Sequence, residues 1–341
     1  MERKIYFLWL LLVTFLSIND AAHFLSNAFL EKVRKKARTW NLGHNFHESI
    51  SEQYLRGLMG VHVDSYKFPL PDKREVLGDS DDEISIADLP AEFDARLKWS
   101  TCPTVREVRE QGSCGSCWAI APASVMSDRI CIHSRGVLNF RLSGADMLAC
   151  CAICGFACRG GFPGAAWSFW TRKGMVSGGD YGSGQGCLSY NVEPCDHHRN
   201  GSRPVCTVGG GLRCQHVCVP SYPMTYNRDR NFGSKVYSIR SNPLEIQKEI
   251  MANGPVQAIL TVYEDFLSYK TGVYYHLAGN KLGPHAVRIL GWGVWGKKKV
   301  PYWLVANSWG SDWGDNGFFH IVRGQNHCDI EGYIMAGLPK L

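Results

Sequence analysis

The sequence predicts an α+β chain in two halves. Three observations carry that expectation. Helix-like segments come first and strand-like segments later. A cysteine- and glycine-rich stretch without periodicity, residues 178–220, lies between them. All 14 cysteines fall between Cys102 and Cys328. Of the 341 residues, 45% are hydrophobic and 20% charged, which excludes a disordered chain. The net charge of +6 is spread along the sequence, with no dense Lys/Arg stripe and interleaved aromatics, so nucleic acid is not an expected partner. So many cysteines point to an oxidising compartment.

From the N-terminus, Arg3 and Lys4 precede an apolar run, residues 5–18, and Ala21 and Ala22 follow. A basic start, a short apolar run and small residues describe a secretory signal peptide over 1–22. The run is shorter than the roughly 20 residues that cross a bilayer, so no stable membrane span is expected. Residues 23–88 are rich in charge and helix formers, as in Glu31-Lys32-Val33-Arg34-Lys35-Lys36 and residues 52–59. They end near the acidic run Gly78-Asp79-Ser80-Asp81-Asp82-Glu83. An exposed polar run suits proteolytic nicking. Residues 23–88 therefore read as a removable pro-segment with one or two helices, and 89–341 as the mature body. The alternative is a small N-terminal domain that stays attached. Within the body, residues 113–131, 165–173 and 242–253 read as helices, the last opening on Asn242-Pro243. Strand-like runs follow at 256–263, 273–276, 285–293, 302–307 and 317–322.

The sharpest local signal is Gln111-Gly112-Ser113-Cys114-Gly115-Ser116-Cys117-Trp118. Its Cys-x-x-Cys pair can be half of a zinc site, a redox dithiol, or a Cys-Gly-Ser-Cys-Trp signature whose second cysteine attacks. Cys151 and Cys154 offer a second pair for zinc, but disulfides are the default in a secreted chain. A redox dithiol needs a preceding strand and a parallel αβ pattern after it, and neither is seen. The third reading needs a distant His and Asn. His285 opens the strand-like Pro284-His285-Ala286-Val287-Arg288-Ile289-Leu290-Gly291-Trp292-Gly293, and Asn307 closes Tyr302-Trp303-Leu304-Val305-Ala306-Asn307. On these residues, with the glycine-rich stretch 308–314 behind them, the chain resembles the papain family of cysteine proteases.

The chemistry explains the residue types. A thiol with its free pKa of about 8.5 is a weak nucleophile in mildly acidic fluid. An adjacent imidazolium and a helix N-terminus lower that pKa and give a thiolate–imidazolium pair. The resemblance makes Cys117 the nucleophile and His285 its proton partner. It has Asn307 orient the ring and Trp309 shield that contact from water. Gln111 and the N–H of Cys117 form the oxyanion hole. No metal or cofactor is expected.

His285 and Asn307 lie further from Cys117 than the roughly 130–150 residues usual for this signature. The excess is close in length to the cysteine-dense stretch 187–218. There, Cys195-Asp196-His197-His198-Arg199-Asn200-Gly201-Ser202-Arg203-Pro204-Val205-Cys206 resembles the occluding loop of cathepsin B. Trp40 to Phe46, Leu89 to Arg96, residues 127–133 and Gly324-Gln325-Asn326-His327-Cys328 extend the likeness to the cathepsin B-like branch over nearly the whole chain. The resemblance implies a papain-like two-domain fold, with a helical left domain carrying Cys117 and a β-barrel-like right domain carrying His285 and Asn307. It implies an occluding loop at about 193–208 and a pro-segment lying along the cleft as an inhibitor. His197 and His198, when protonated, would hold a substrate's C-terminal carboxylate and add peptidyl-dipeptidase to endopeptidase activity. His197–Glu110 and Arg203–Asp312 pairs would latch the loop. The implied bridges are Cys102–Cys131, Cys114–Cys158, Cys150–Cys214, Cys151–Cys154, Cys187–Cys218 and Cys195–Cys206, with Cys117 and Cys328 unpaired. Asn200-Gly201-Ser202 is a glycosylation sequon. Expected partners are peptide and protein substrates and cystatin-type inhibitors. The expected destination is a lysosome or the outside of a cell, such as a gut lumen.

Four positions depart from the family pattern. Tyr333 stands where an acid usually closes the S2 pocket, which predicts a hydrophobic or aromatic P2 preference. Arg159 precedes Gly160 and Gly161, whose backbone would bind substrate. Pro122 lies inside the nucleophile helix, where proline costs about 3 kcal/mol and predicts a kink that shifts Cys117. Pro284 replaces a glycine but keeps the C=O that binds the P1 N–H. The two prolines leave a second reading open, a secreted pseudoprotease that binds peptides with little turnover.

Overall fold

The computed structural model describes residues 23–78, 85–196, 203–204, 206 and 213–341. The expected signal peptide and His197, His198 and Asn200 lie outside the described residues. The stretch expected to be the pro-segment forms α1 (Asn27–Arg34), β1 (Trp40–Leu42), α2 (Glu52–Gly57) and α3 (Lys73–Leu77). Three short helices form where the sequence suggests one or two. Each has a side-chain cap: Ser26, Ser51 and Asp72 accept from the N–H groups of Phe29, Tyr54 and Arg74.

The body continues with β2 (Phe93–Asp94), α4 (Ala95–Lys98), α5 (Cys117–His133), α6 (Gly144–Cys150) and α7 (Pro163–Lys173). Its second half holds β3 (Gly233–Ile239), α8 (Pro243–Asn253), β4 (Val256–Tyr263), β5 (Tyr269–Tyr274), β6 (Lys281–Trp295), β7 (Val300–Ala306), β8 (Phe318–Val322) and β9 (Ile334–Pro339). α8 starts where Asn242 caps Leu244 N–H and Pro243 takes the first turn; it ends at Gly254, with φ of 101°.

α5 begins at Cys117 rather than at residue 113. Gly112 has φ of 58°, and a Cβ there would meet Glu193 O at 2.7 Å, so residues 112–116 make a tight turn that only glycine enters cheaply. The Cys114–Cys158 bridge and the Gly115 N–H to Cys158 O bond (3.0 Å) tie that turn down. Every residue of α5 from Cys117 to Cys131 is buried, the mark of a central helix. It runs in one piece through Pro122, with Cys117 still at its first position.

The strands form one mixed sheet in the order β1-β5-β8-β7-β6-β4-β9-β3, with β2 also on β6. β5 and β8 run parallel, the other pairs antiparallel. Two main cores result. Trp118, Met126, Met147, Trp167 and Trp170 fill the helical one; Leu260, Tyr269, Trp303, Val305 and Phe319 fill that of the sheet. Ile259, Ala286 and Met335 reach from the sheet into the helical core. Two buried ion pairs lock α5 across this seam, Arg288–Asp128 at 2.5 Å and Arg129–Glu249 at 2.8 Å. Removing one partner of such a pair costs about 3–5 kcal/mol.

The six disulfides join Cys102–Cys131, Cys114–Cys158, Cys150–Cys214, Cys151–Cys154, Cys187–Cys218 and Cys195–Cys206, the pairs that the resemblance implies. Cys117 and Cys328 are free. With Cys114 and with Cys151 and Cys154 oxidised, the zinc alternative has no ligand set.

Candidate active site

Three elements bring the expected residues together. α5 presents Cys117 at its N-terminus, where the helix dipole favours negative charge. β6 carries His285, and Asn307 follows β7. Sγ of Cys117 accepts from the N–H of Ala286 at 3.4 Å, so the His285 strand lies against the sulfur. His285 Nε2 lies 2.8 Å from Asn307 Oδ1. That same Oδ1 accepts from Ser308 N–H at 2.8 Å, which fixes the amide's orientation. An accepting Oδ1 requires the ring proton on Nε2. Nδ1, without a hydrogen-bond partner among the described residues, is left with its lone pair. The ring of Trp309 covers the histidine, centroids 4.8 Å apart, and is itself buried.

Gln111 is held by its Oε1, which accepts from Ser308 Oγ at 2.7 Å. Its Nε2 donates to Cys114 O at 2.7 Å and to Leu58 O at 3.0 Å. Leu58 belongs to the pro-segment, so a carbonyl oxygen of that segment already sits on the amide donor.

The next residues of the pro-segment fill the groove. Gly60 N–H donates to Cys117 Sγ at 3.2 Å. Gly161 N–H donates to Gly60 O at 2.9 Å, and His62 N–H to Gly161 O at 2.8 Å. Val61 N–H reaches Pro284 O at 3.4 Å. Gly161 and Pro284 therefore use the backbone groups expected to hold substrate. The sulfur faces an N–H rather than a carbonyl carbon, which leaves nothing to attack. Gly60 is required here: a Cβ would meet Gly115 O at 2.1 Å. Gly160, with φ of 98°, backs the same contact, since a Cβ there would meet Gly60 O at 3.2 Å.

Burial pushes the Cys117 thiol up to about 11, although the N–H groups of Ala286 and Gly60 pull the other way. Burial lowers His285 to about 4, with the Asn307 contact opposing. Both shifts favour the uncharged forms while the groove is filled.

Beyond the sulfur, Arg203 pairs with Glu110 at 3.0 Å and stands 3.9 Å from Asp312. The expected Arg203–Asp312 latch is therefore a mainly Glu110-directed contact. Burial raises Glu110 to about 7, with Arg203 opposing. Tyr333 is 53% exposed and borders a cavity of about 300 Å³ shared by Phe68 and Leu70 of the pro-segment and Pro163, Ile259 and Met335 of the body. No carboxylate is among the described residues that line it. Arg159 is exposed at the rim of a different opening, beside Tyr54 and Cys206.

Sequence reasoning misses Leu58, Gly60, Ala286 and Tyr190. Tyr190 OH bonds Ser116 Oγ at 2.7 Å and Gln111 O at 3.0 Å, bracing both sides of the nucleophile turn. Backbone donors carry no side-chain signature. For Gly60, the only signal is a glycine inside an otherwise apolar Leu58-Met59-Gly60-Val61 run.

A thiol on a helix N-terminus, an oriented imidazole and an amide donor, closed by a preceding segment of the same chain, define a thiol-hydrolase zymogen. The comparisons agree. Residues 89–338 match the papain family cysteine protease domain, and residues 25–65 match the peptidase family C1 propeptide. A cathepsin B-like cysteine proteinase of Schistosoma japonicum is 44% identical over 255 residues, 74% of each chain. Cathepsin B-like cysteine proteinase 5 of Caenorhabditis elegans is 41% identical over 330 residues, 94% of this chain and 92% of its own. The solved procathepsin B S9 of Trypanosoma congolense superposes with a TM-score of 0.79 at 34% identity, covering 94% of this chain and 99% of that one. The chain belongs to the papain family of cysteine proteases, in its cathepsin B-like branch, and carries the family's propeptide.

Proposed function

We propose that Cys117, His285, Asn307 and Gln111 perform peptide-bond hydrolysis once the pro-segment leaves. Cys117 gives its proton to His285 Nδ1 and attacks the scissile carbonyl carbon. The developing oxyanion takes the donors of Gln111 Nε2 and Cys117 N–H. The imidazolium returns the proton to the leaving amine, and water, deprotonated by the same ring, releases the acyl group as a carboxylic acid. Asn307 Oδ1 keeps the ring's other proton on Nε2 throughout. The observation that carries this reading is the seating of Leu58–His62, which places a carbonyl on Gln111, an N–H on the sulfur and two bonds on Gly161. A peptide groove is being filled by a peptide.

Residues 1–22 act as the signal peptide, 23–88 as the pro-segment and 89–341 as the mature enzyme. The exposed residues 85, 87 and 88 and the anchoring of the chain just beyond, where Trp292 Nε1 donates to Pro90 O at 2.9 Å, support a cut near Leu89. The loop at about 193–208, with His197 and His198, gives C-terminal dipeptide release beside endopeptidase activity, in a lysosome or outside the cell. Asn200 is the glycan site, and cystatin-type proteins are inhibitors. Tyr333 beside an acid-free cavity favours a hydrophobic or aromatic P2 residue.

Processed enzyme assayed on matched P2-Phe and P2-Arg substrates tests the pocket; comparable rates would count against it. Replacing His197 and His198 by Ala tests the loop. Dipeptide release should fall on the order of tenfold or more while protein cleavage persists, and equal losses would sink the carboxylate anchor.

A further inference from the structure

We propose that the outer edge of β3, flanked by Glu245 and Glu249, is a docking site of the processed enzyme for an extended, basic segment of a protein substrate. This goes beyond the catalytic reading above and rests on it only for the removal of the pro-segment.

β3 is the last strand of the sheet. One edge pairs with β9, and the N–H of Ser238 points away from it to Pro71 O at 2.8 Å. Asp72 pairs with Ser238 in parallel register, and Ser238 Oγ lies 3.2 Å from both Leu70 O and Pro71 O. The pro-segment thus adds a single parallel bridge to this edge. Its next side chains are basic and meet acids. Lys73 Nζ lies 3.2 Å from Glu249 Oε2, with 12% of the lysine side chain exposed and none of the glutamate's. Arg74 pairs with Glu245 at 3.4 Å, and Asp72 with Arg240 at 3.0 Å.

The Glu249 carboxylate divides its partners by origin. Oε1 takes Arg129 at 2.8 Å and Tyr237 OH at 2.7 Å. Oε2 takes Asn253 Nδ2 at 3.2 Å and Lys73. Arg129, Tyr237 and Asn253 stay with the body, whereas Lys73 leaves with the pro-segment. Processing therefore removes the cation from Oε2 and the acceptor from Ser238 N–H at one place. An open edge N–H beside carboxylates matches an extended chain with basic side chains: main-chain bonds give affinity and the charges give selectivity.

The occupant is a substrate because the edge opens onto the cavity beside Tyr333, proposed above to take the P2 residue. Ser238 and Arg240 line the same cavity as Tyr333, Phe68 and Leu70. The pro-segment bridges the whole distance, from Val61 on Gly161 to Lys73 on Glu249. A substrate held at Gly161 can run along the same track.

The test starts with processed enzyme whose Cys117 has been alkylated, so that turnover is irrelevant. The probe is a fluorescent peptide of residues 69–78, Pro-Leu-Pro-Asp-Lys-Arg-Glu-Val-Leu-Gly, read by anisotropy. The expected result is saturable binding that weakens on the order of tenfold when its Lys and Arg become Gln. The enzyme variant Glu245→Lys should lose the same factor. Because Glu249 also holds Arg129, this rim variant stands beside Glu249→Gln and leaves the core intact. On active enzyme, a peptide substrate extended at its N-terminus by a Lys-Arg segment should show a lower KM than its Gln-Gln twin, at equal kcat. Glu245→Lys should abolish that difference without changing a short substrate. Equal binding of the basic and neutral probes, or displacement of the probe by a short groove ligand, would overturn the proposal. So would probe binding with no effect on substrate KM, which would assign the edge to the released pro-segment alone.

Discussion

At the scale of single residues, the zymogen is closed by contacts that leave no spare room. Gly60 lies where a methyl group would overlap Gly115 O at 2.1 Å. Gly60→Ala must lift the segment off the sulfur. The expected outcome is a zymogen that hydrolyses a small fluorogenic peptide before processing, where the parent does not; a silent Gly60→Ala zymogen would count against the plug. The buried imidazole adds a pH dependence. His285 titrates near 4 in the closed form against 6.5 when free. Between those values the open or unfolded chain binds more protons, so stability of the closed form rises with pH there and is lost as pH falls from 6.5 towards 4. Pro-segment release followed by size-exclusion chromatography should therefore accelerate as pH falls below 6.5, and a release rate independent of pH between 4 and 6.5 would contradict the His285 assignment.

At the scale of elements, the pro-segment acts as part of the sheet. β1 pairs antiparallel with β5, and Trp40 Nε1 donates to Tyr275 O at 3.0 Å while its ring is buried against Tyr274. Asn45 Nδ2 bonds Leu267 O and Tyr269 O at 2.9 and 2.7 Å. Trp→Ala in such a site costs about 3–5 kcal/mol, which is more than a hundredfold in affinity. Trp40→Ala pro-segment added in trans to processed enzyme should inhibit at least that much more weakly, as read by its inhibition constant; unchanged inhibition would show that β1 is not an anchor. Such elements mark the limit of sequence reading. α7, α8 and β4 are legible because capping prolines, glycine stops and apolar runs announce them. β1 has three residues, too short for alternation to register, and exists because β5 offers an edge. β3 and β9 pass unnoticed for a related reason: the exposed Ser234 and Lys235 and the Gly337 of β9 mask the strand pattern.

At the scale of the molecule, the candidate site was legible because its chemistry needs particular side chains. Cys117, His285, Asn307 and Gln111 stand out in context, and the fold brings all four together. What the sequence leaves hidden is the state of that site. Leu58–His62 fill the groove and set Gly60 N–H on the sulfur, a contact between segments far apart in sequence whose donors are mostly backbone. The continuous α5 through Pro122 is a similar case, since burial on all sides holds the helix together where proline removes a hydrogen bond. The cleft, the plug and the sheet edge beyond it form one track, from the sulfur past Tyr333 to β3.

On this reading one thiol is silenced by the pro-segment and becomes reactive when it leaves. The most direct measurement is the stoichiometry of iodoacetamide labelling at Cys117 at pH 5.5, by mass spectrometry, in the intact zymogen and after processing, with peptide turnover followed in parallel. No labelling is expected in the zymogen, where burial pushes the thiol up to about 11, and one label per processed molecule with matching loss of turnover. Equal labelling of both forms, or full labelling of a processed form that never cleaved peptide, would contradict it.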